Sequence, residues 1–412
     1  MTGVAMLHYA GPPVVGGVEV TIAYHARGLA ALGIPVQVIS GSGGDFDARV
    51  TSIVEPLFGS THPEVLRVKQ ELDSGQVTDA FHALTARVQE ALEGALAGCE
   101  VCIAHNVPSL HKNLPLTAAL AALSAAGRVR VVAWCHDLAW TNDQYLRELH
   151  DGQPWDLLRR PWPGVQYVTV SEARRGELAA LMGIRPEAVS VVTPGVDPER
   201  FLHWTPTMVD LERRLKLLDA DGLLLVPARL TRRKNIEMAL RILSEVRRQS
   251  QRDFRLIVTG PPGPHNPANP GYLGELLDLR HELEIEDSAH FLYAYGQTDE
   301  PLIPDDDTMA NLYQVADALV FPSAQEGFGI PVLEAGLAAL PVFCADIPPL
   351  RHTGRDDVVY FDPLGASPRA VAAKILDTLE SAPSARLRVR VRQLYRWEAI
   401  IRDRLLPLVA AR

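Results

Sequence analysis

The chain has no long hydrophobic run. None of its 412 residues lies in a segment of roughly 18 uninterrupted apolar residues, the length a membrane span needs. The longest apolar stretch, Thr117 to Ala126, is alanine-rich and reads as a packed helix. Basic excess is also missing: 40 Lys+Arg face 50 Asp+Glu, a net charge of −10, which argues against a nucleic-acid partner. Cysteine is scarce. Cys99, Cys102, Cys135 and Cys344 sit mostly in apolar runs and fit a reducing cytoplasm. Met1 to Leu7 has no basic start and Gly11 to Gly17 interrupts it early, so no secretory leader is expected. Internal repeats, low-complexity tracts and coiled-coil heptads are absent from the pattern. What remains is an ordinary α/β composition, 47% hydrophobic and 22% charged, at a length that suggests two or three domains.

Cys99-x2-Cys102-x2-His105 has a metal or redox spacing. The same stretch reads as a buried strand, on which residues three apart point to opposite faces, and this disfavours a shared ion. Asp305-Asp-Asp307 invites a metal reading too. It follows Pro304 and precedes a helical run, Thr308 to Val315, so N-terminal capping and charge account for it. No metal site is expected.

Strand and helix patterns alternate along the chain. Val4–Leu7, Pro35–Ile39, Val101–Ala104, Val129–Trp134, Tyr167–Val170 and Val189–Val192 read as strands of a first half. Val18 to Leu32 and Pro63 to Ala97 read as helical between them, and Ser171 as a helix N-cap. A second half starts afresh with Leu223–Val226, Phe254–Val258, His290–Tyr293, Ala318–Phe321, Pro341–Phe343 and Val358–Tyr360. Repeated βα units predict two doubly wound parallel sheets, hence two Rossmann-like domains facing a cleft. Residues of about 201–221 are polar and helical and place the change of domain near 203. The expected division is 1–203 and 204–394.

Four places carry chemistry. Pro12-Pro-Val-Val-Gly16-Gly17 follows the first strand and opens a helix, where adjacent glycines let backbone approach a ligand and the helix end favours phosphate. It is not the dinucleotide glycine pattern. His136 and Asp137 stand at the carboxyl end of Val131–Cys135, the side on which open α/β sheets bind ligands. His105 and Asn106, with His111 and Lys112 beyond, follow the preceding strand in the same way. Arg229 and Lys234 follow the first strand of the second half; a guanidinium fork and an ammonium suit a departing diphosphate, with Arg232 and Arg233 read as a solvated turn. Finally, Glu326-Gly-Phe-Gly-Ile-Pro-Val-Leu-Glu334 reads as strand, glycine loop and helix N-terminus, with Pro331 at the first helical position and Glu334 in the first turn.

This last stretch resembles the E-x7-E signature of retaining, nucleotide-sugar-dependent glycosyltransferases of the family 4 type, which have the GT-B fold. Arg229 and Lys234 are similar to that family's diphosphate pair. Thr193-Pro-Gly195-Val-Asp197 resembles its Asn-Gly-Val-Asp stretch, with Pro194 where the family has Asn, so a hydrogen bond from that side chain is lost. Leu394-Tyr-Arg-Trp397-Glu398 is similar to the segment opening the last helix, which returns residues of about 395–412 to the first domain.

The resemblance implies that Glu334 accepts ribose hydroxyls and that Glu326 accepts from the donor sugar beside the backbone of Gly327, Phe328, Gly329 and Ile330. It implies that Gly16, Gly17, Gly260 and Tyr293 lie against the donor, and that His136 faces the reacting sugar. Catalytic work falls to Glu326, His136, Arg229 and Lys234; His105, Asn106, Lys112 and Asp137 are the acceptor-side candidates. The implied reaction is hexosyl transfer from a nucleoside diphosphate sugar, of GDP-mannose or UDP-glucose type, with no cofactor or divalent metal required. Residues 1–200 hold 15 Lys+Arg against 21 Asp+Glu, which points to a soluble acceptor, a small molecule or an oligosaccharide. Another GT-B activity, epimerase or phosphorylase, and a non-catalytic sugar-nucleotide binding protein remain alternatives. A homo-oligomer is left open.

Overall fold

A computed structural model describes residues 3–263, 269–296 and 300–410. The chain forms two compact units, Met1–Gly195 with Tyr395–Arg412, and Val196–Leu394. The division thus falls eight residues before the position 203 taken from the sequence. Much of the Pro- and Asn-rich stretch 264–272 lies outside the described residues.

The first unit is built on seven parallel strands: β1 (Gly3–His8), β2 (Val36–Ser40), β3 (Val50–Val54), β4 (Cys99–His105), β5 (Arg130–Cys135), β6 (Gln166–Thr169) and β7 (Val189–Val191). Their order is β3-β2-β1-β4-β5-β6-β7. The second unit has six: β8 (Gly222–Val226), β9 (Phe254–Val258), β10 (Ala289–Phe291), β11 (Ala318–Phe321), β12 (Val342–Ala345) and β13 (Val359–Phe361), in the order β10-β9-β8-β11-β12-β13. Every recorded pairing is parallel. Parallel strands are buried on both faces by their crossover helices, so they read as apolar runs. β8, Gly-Leu-Leu-Leu-Val, is buried at all five positions. In each sheet the strand order reverses once, between β1 and β4 and between β8 and β11, and such a switch point opens a crevice at the carboxyl ends.

Three sequence expectations need correction. β3 lies in a stretch to which the sequence pattern assigned no element. The helical run Pro63 to Ala97 is two helices, Pro63–Asp73 and Asp79–Ala95, broken where Gly75 takes φ +82. The strand expected over His290–Tyr293 ends at Phe291, and Leu292–Tyr295 is a 3-10 turn.

The C-terminal segment belongs to the first unit. Trp397 stacks on Tyr24, ring centroids 4.9 Å apart, and meets His25 edge-on. Gly195 lies under the indole so closely that a Cβ there would come within 2.7 Å of Trp397 Cδ2. Arg130 donates to the carbonyls of Leu408 and Val409.

Candidate functional site

In the second unit the switch point brings the ends of β8 and β11 together. After β8 the chain turns through Arg229 and a 3-10 turn, Arg232–Lys234, into the helix Ile236–Ser250. After β11 it makes the glycine loop and enters the helix Ile330–Leu337. Lys234 Nζ reaches across to Glu326 Oε1 in a short ion pair, with both side chains about nine-tenths buried. Burial pulls the Lys234 pKa down, opposed by its bond to Glu326. Arg233 sits on the other carboxylate oxygen at 3.4 Å and donates to the Gln325 carbonyl at 3.0 Å. The solvated-turn reading of Arg233 is therefore corrected: it braces the Glu326 loop. Arg232 does pair at the surface, with Glu275. Arg229 is exposed, and its guanidinium has no partner among the described residues.

Gly329 caps the helix at φ +97, a conformation that only glycine adopts freely, and a Cβ there would strike Leu350. The helix begins at Ile330, so Pro331 is its second residue and Glu334 lies past the first turn, a correction to the expected placement. The N–H groups of Phe328, Gly329 and Ile330 have no acceptor among the described residues. Gly327 is open on the side a Cβ would take. Glu334 is exposed, and its Oε2 accepts from the Tyr313 hydroxyl at 2.6 Å. Burial, then Glu334 itself, raises the Tyr313 pKa, which keeps the phenol a donor. Gly260 lies two residues past β9, where a Cβ would come within 2.4 Å of the Ala228 carbonyl oxygen. Its immediate neighbour is the chain's own backbone, and that crowding alone requires glycine. Tyr293 is half-buried in its 3-10 turn.

Sequence reasoning missed Tyr313 and Asn235. Asn235 takes φ +50 and donates to the carbonyls of Pro322 and Pro363, tying the basic turn to the loop after β11. Asn directly before a helix in this basic turn was the signal for the second; for Tyr313, far along the chain, there was none.

In the first unit β1, β4 and β5 lie side by side and end in His8, His105 and Cys135-His136. Gly16 is the N-cap of the helix Gly17–Ala31, whose first turn carries Glu19, 3.9 Å from His8. Asn106, at φ +58, accepts the backbone N–H of His136 at 2.8 Å and of Asp137 at 3.1 Å. His136 is half-buried, and its Nε2 lies 3.0 Å from His105 Nδ1. Burial, then the neighbouring His8, lowers the His136 pKa to about 4.

His105 and Asn106 were expected to line the acceptor pocket. They are 0% and 3% exposed, so they reach a ligand only through His136, and this is a correction. His111 likewise turns inward, to Glu148 at 2.6 Å. Asp137 is exposed and faces Arg174 at 3.8 Å. Lys112 is exposed, and its charge is close enough to hold down the His8 pKa, though burial is the larger cause.

Among the described residues one group, Asp73, His111 and Glu148, has ligand atoms close enough for a metal ion. Lys69 Nζ already sits 2.6 Å from Asp73 and 2.7 Å from Glu148, so an ammonium fills the place of a cation. Asp305 caps the helix Asp306–Val315 through the Thr308 N–H. Cys99, Cys102, Cys135 and Cys344 are free and buried. No helix among the described residues is long and apolar enough to cross a membrane.

Comparison with known proteins agrees with this geometry. Residues 15–200 match the family described as Glycosyltransferase Family 4, and residues 210–393 match Glycosyl transferases group 1. A D-inositol 3-phosphate glycosyltransferase of Frankia alni is 30% identical over 393 residues, covering 91% of this chain and 88% of the relative. One of the same name from Thermobispora bispora is 33% identical, over 52% of this chain and 46% of the relative. Among solved structures, sucrose-phosphate synthase of Thermosynechococcus elongatus aligns over the full length of both chains at 16% identity, with a TM-score of 0.40. With both halves matched in order and a full-length relative at this identity, the chain belongs to the group 1, family 4 type glycosyltransferases of the GT-B fold.

Proposed function

We propose that this glycosyltransferase moves a hexosyl group, with retention at the anomeric carbon, from a nucleoside diphosphate sugar to a soluble hydroxyl acceptor. The observation that carries the reading is the Lys234–Glu326 pair, with Arg229 and the backbone N–H groups of Phe328, Gly329 and Ile330 left without partners among the described residues. A diphosphate leaving group develops negative charge as the glycosidic bond breaks. Fixed cations aimed at it stabilise that state more than the ground state. Arg229 and Lys234 supply them. Glu326, released by Lys234, accepts from hydroxyls of the donor sugar. Glu334, one oxygen held by Tyr313, offers the other to the ribose. His136, by the family resemblance, is the histidine that faces the reacting sugar.

The donor is of GDP-mannose or UDP-glucose type. For the acceptor, a small polyol fits best. The Frankia relative is named for D-inositol 3-phosphate. Lys112 gives this chain an exposed cation near His8 that suits an anionic substituent on such a polyol. Buried free thiols agree with a cytoplasmic setting. No metal or cofactor is invoked. A turnover assay tests the reading: full-length protein, UDP-glucose or GDP-mannose, and a panel of polyols and their phosphates, read by nucleoside diphosphate release and by the anomeric NMR signal of the product. An α-linked product from an α-donor is expected. An inverted product, or hydrolysis with no acceptor dependence, would overturn it.

A further inference from the structure

The contact between His136 and His105 sets which nitrogen of His136 carries its proton. His105 Nδ1 and His136 Nε2 are 3.0 Å apart, and two neutral imidazoles share one proton across such a gap. If His136 donates, His105 must hold its own proton on Nε2. That nitrogen is buried and has no hydrogen-bond partner among the described residues. His105 is 0% exposed, with its ring beside Trp134, centroids 5.4 Å apart, and His25 beyond at 6.2 Å. A buried N–H with no acceptor is the costlier orphan; a bare ring lone pair is cheaper. If His105 donates instead, its Nε2 is that lone pair and the shared bond is satisfied.

We infer that His105 is a positioning residue that donates from Nδ1 to His136 and thereby fixes His136 as the Nδ1–H tautomer. The main chain holds the pair in register. Asn106 accepts the His136 N–H, and the His105 carbonyl accepts from His8 Nδ1 at 2.7 Å, which fixes the His8 tautomer as well. Burial lowers the pKa of both His105 and His136, so the pair is neutral at pH 7.

The chemical consequence rests on the reading that His136 faces the reacting sugar. With Nε2 occupied by His105, the nitrogen left for the ligand is Nδ1, and it presents an N–H. His136 then acts as a hydrogen-bond donor to a sugar oxygen and not as the base that takes the acceptor proton.

Nitrogen-15 NMR of the full chain, labelled at histidine and assigned by the signals lost in His136→Gln, reads the tautomer directly. At pH 7.5 His136 is expected to be protonated at Nδ1 and bare at Nε2. In His105→Phe it becomes a mixture of both tautomers. In His105→Asn, whose amide can donate from the Nδ1 position, the Nδ1–H form is retained. The matching kinetic result is a tenfold or greater loss of kcat in His105→Phe with the donor KM little changed, and partial recovery in His105→Asn. A wild-type His136 protonated at Nε2, or a tautomer unmoved by His105→Phe, overturns the inference. The wild-type tautomer needs no turnover, only a folded His136→Gln for its assignment. Failure of the transferase reading would therefore appear in the kinetics alone.

Discussion

Lys234 and Glu326 neutralise each other in a site where both side chains are largely withdrawn from water. Removing one partner of such a pair strands the other charge, which costs far more than the pair contributes. Lys234→Met leaves Glu326 only its 3.4 Å contact with Arg233 and is expected to destabilise the second unit by up to about 3–5 kcal/mol, while Lys234→Met with Glu326→Gln recovers most of that loss. Nucleotide-sugar turnover stays lost in both. Denaturant unfolding of the two variants beside a turnover assay checks this; a double variant no more stable than the single one would contradict the account. At this scale residue type and spacing singled out Glu326, Glu334, Arg229 and Lys234 as candidates, and the Lys234–Glu326 contact is what the structure adds. The sequence was silent on Arg233 and Tyr313. An arginine in a basic turn and a tyrosine in a helix carry no sign of the carboxylate they will meet until the β8–β11 neighbourhood exists. His105 and Asn106 were visible as polar residues at a strand end. Their burial was not, because His105 is covered by the rings of Trp134 and His25 and Asn106 turns its side chain onto the backbone after β5.

Among the elements, the loop after β4 shows how a strand end becomes a site. Asn106 holds a left-handed conformation that alanine adopts only under strain, and its side-chain oxygen is the acceptor for two consecutive N–H groups after β5. Asn106→Ala loses both bonds and adds the strain, together about 2–4 kcal/mol, which lowers the unfolding midpoint of the first unit by about 4–16 °C. Asn106→Asp keeps the acceptor and should lose less than half as much. Equal losses in a thermal melt would contradict this, because Asp keeps both the acceptor and the tolerance of the left-handed conformation. The central strands announced themselves as unbroken apolar runs because both their faces are covered. β3 did not: Val-Thr-Ser-Ile-Val lies at the sheet edge, with only its first residue fully buried, and carries little of that signal. The break between the two helices within 63–95 rests on Ser74 and Gly75, which a helical periodicity passes over.

For the molecule as a whole, buried neutral histidines set the acid limit. Burial holds the pKa of His25 down to about 3, and those of His136 and His290 to about 4, all below the ordinary 6.5. The folded state keeps these rings neutral while the unfolded chain protonates them first. Their contribution to stability is therefore present above pH 6.5 and is lost as pH falls from there toward 4, at about 1.4 kcal/mol per pH unit for each ring. Melting temperature should be flat between pH 7 and 8 and fall progressively below 6.5; a midpoint unchanged at pH 5 would contradict the neutral assignment.

The proposed transfer requires the second unit to hold a nucleoside diphosphate sugar through Glu334 and the Arg229–Lys234 cations. Thermal melts of the wild type and Glu334→Ala with UDP, GDP and ADP, then with their sugars, test it most directly. At a hundredfold excess over the dissociation constant, binding contributes about 2.7 kcal/mol, or roughly 5–10 °C in a unit of this size. The account predicts such a shift for one base in the wild type and little or none in Glu334→Ala. No shift with any nucleotide, or the same shift in both proteins, would contradict it.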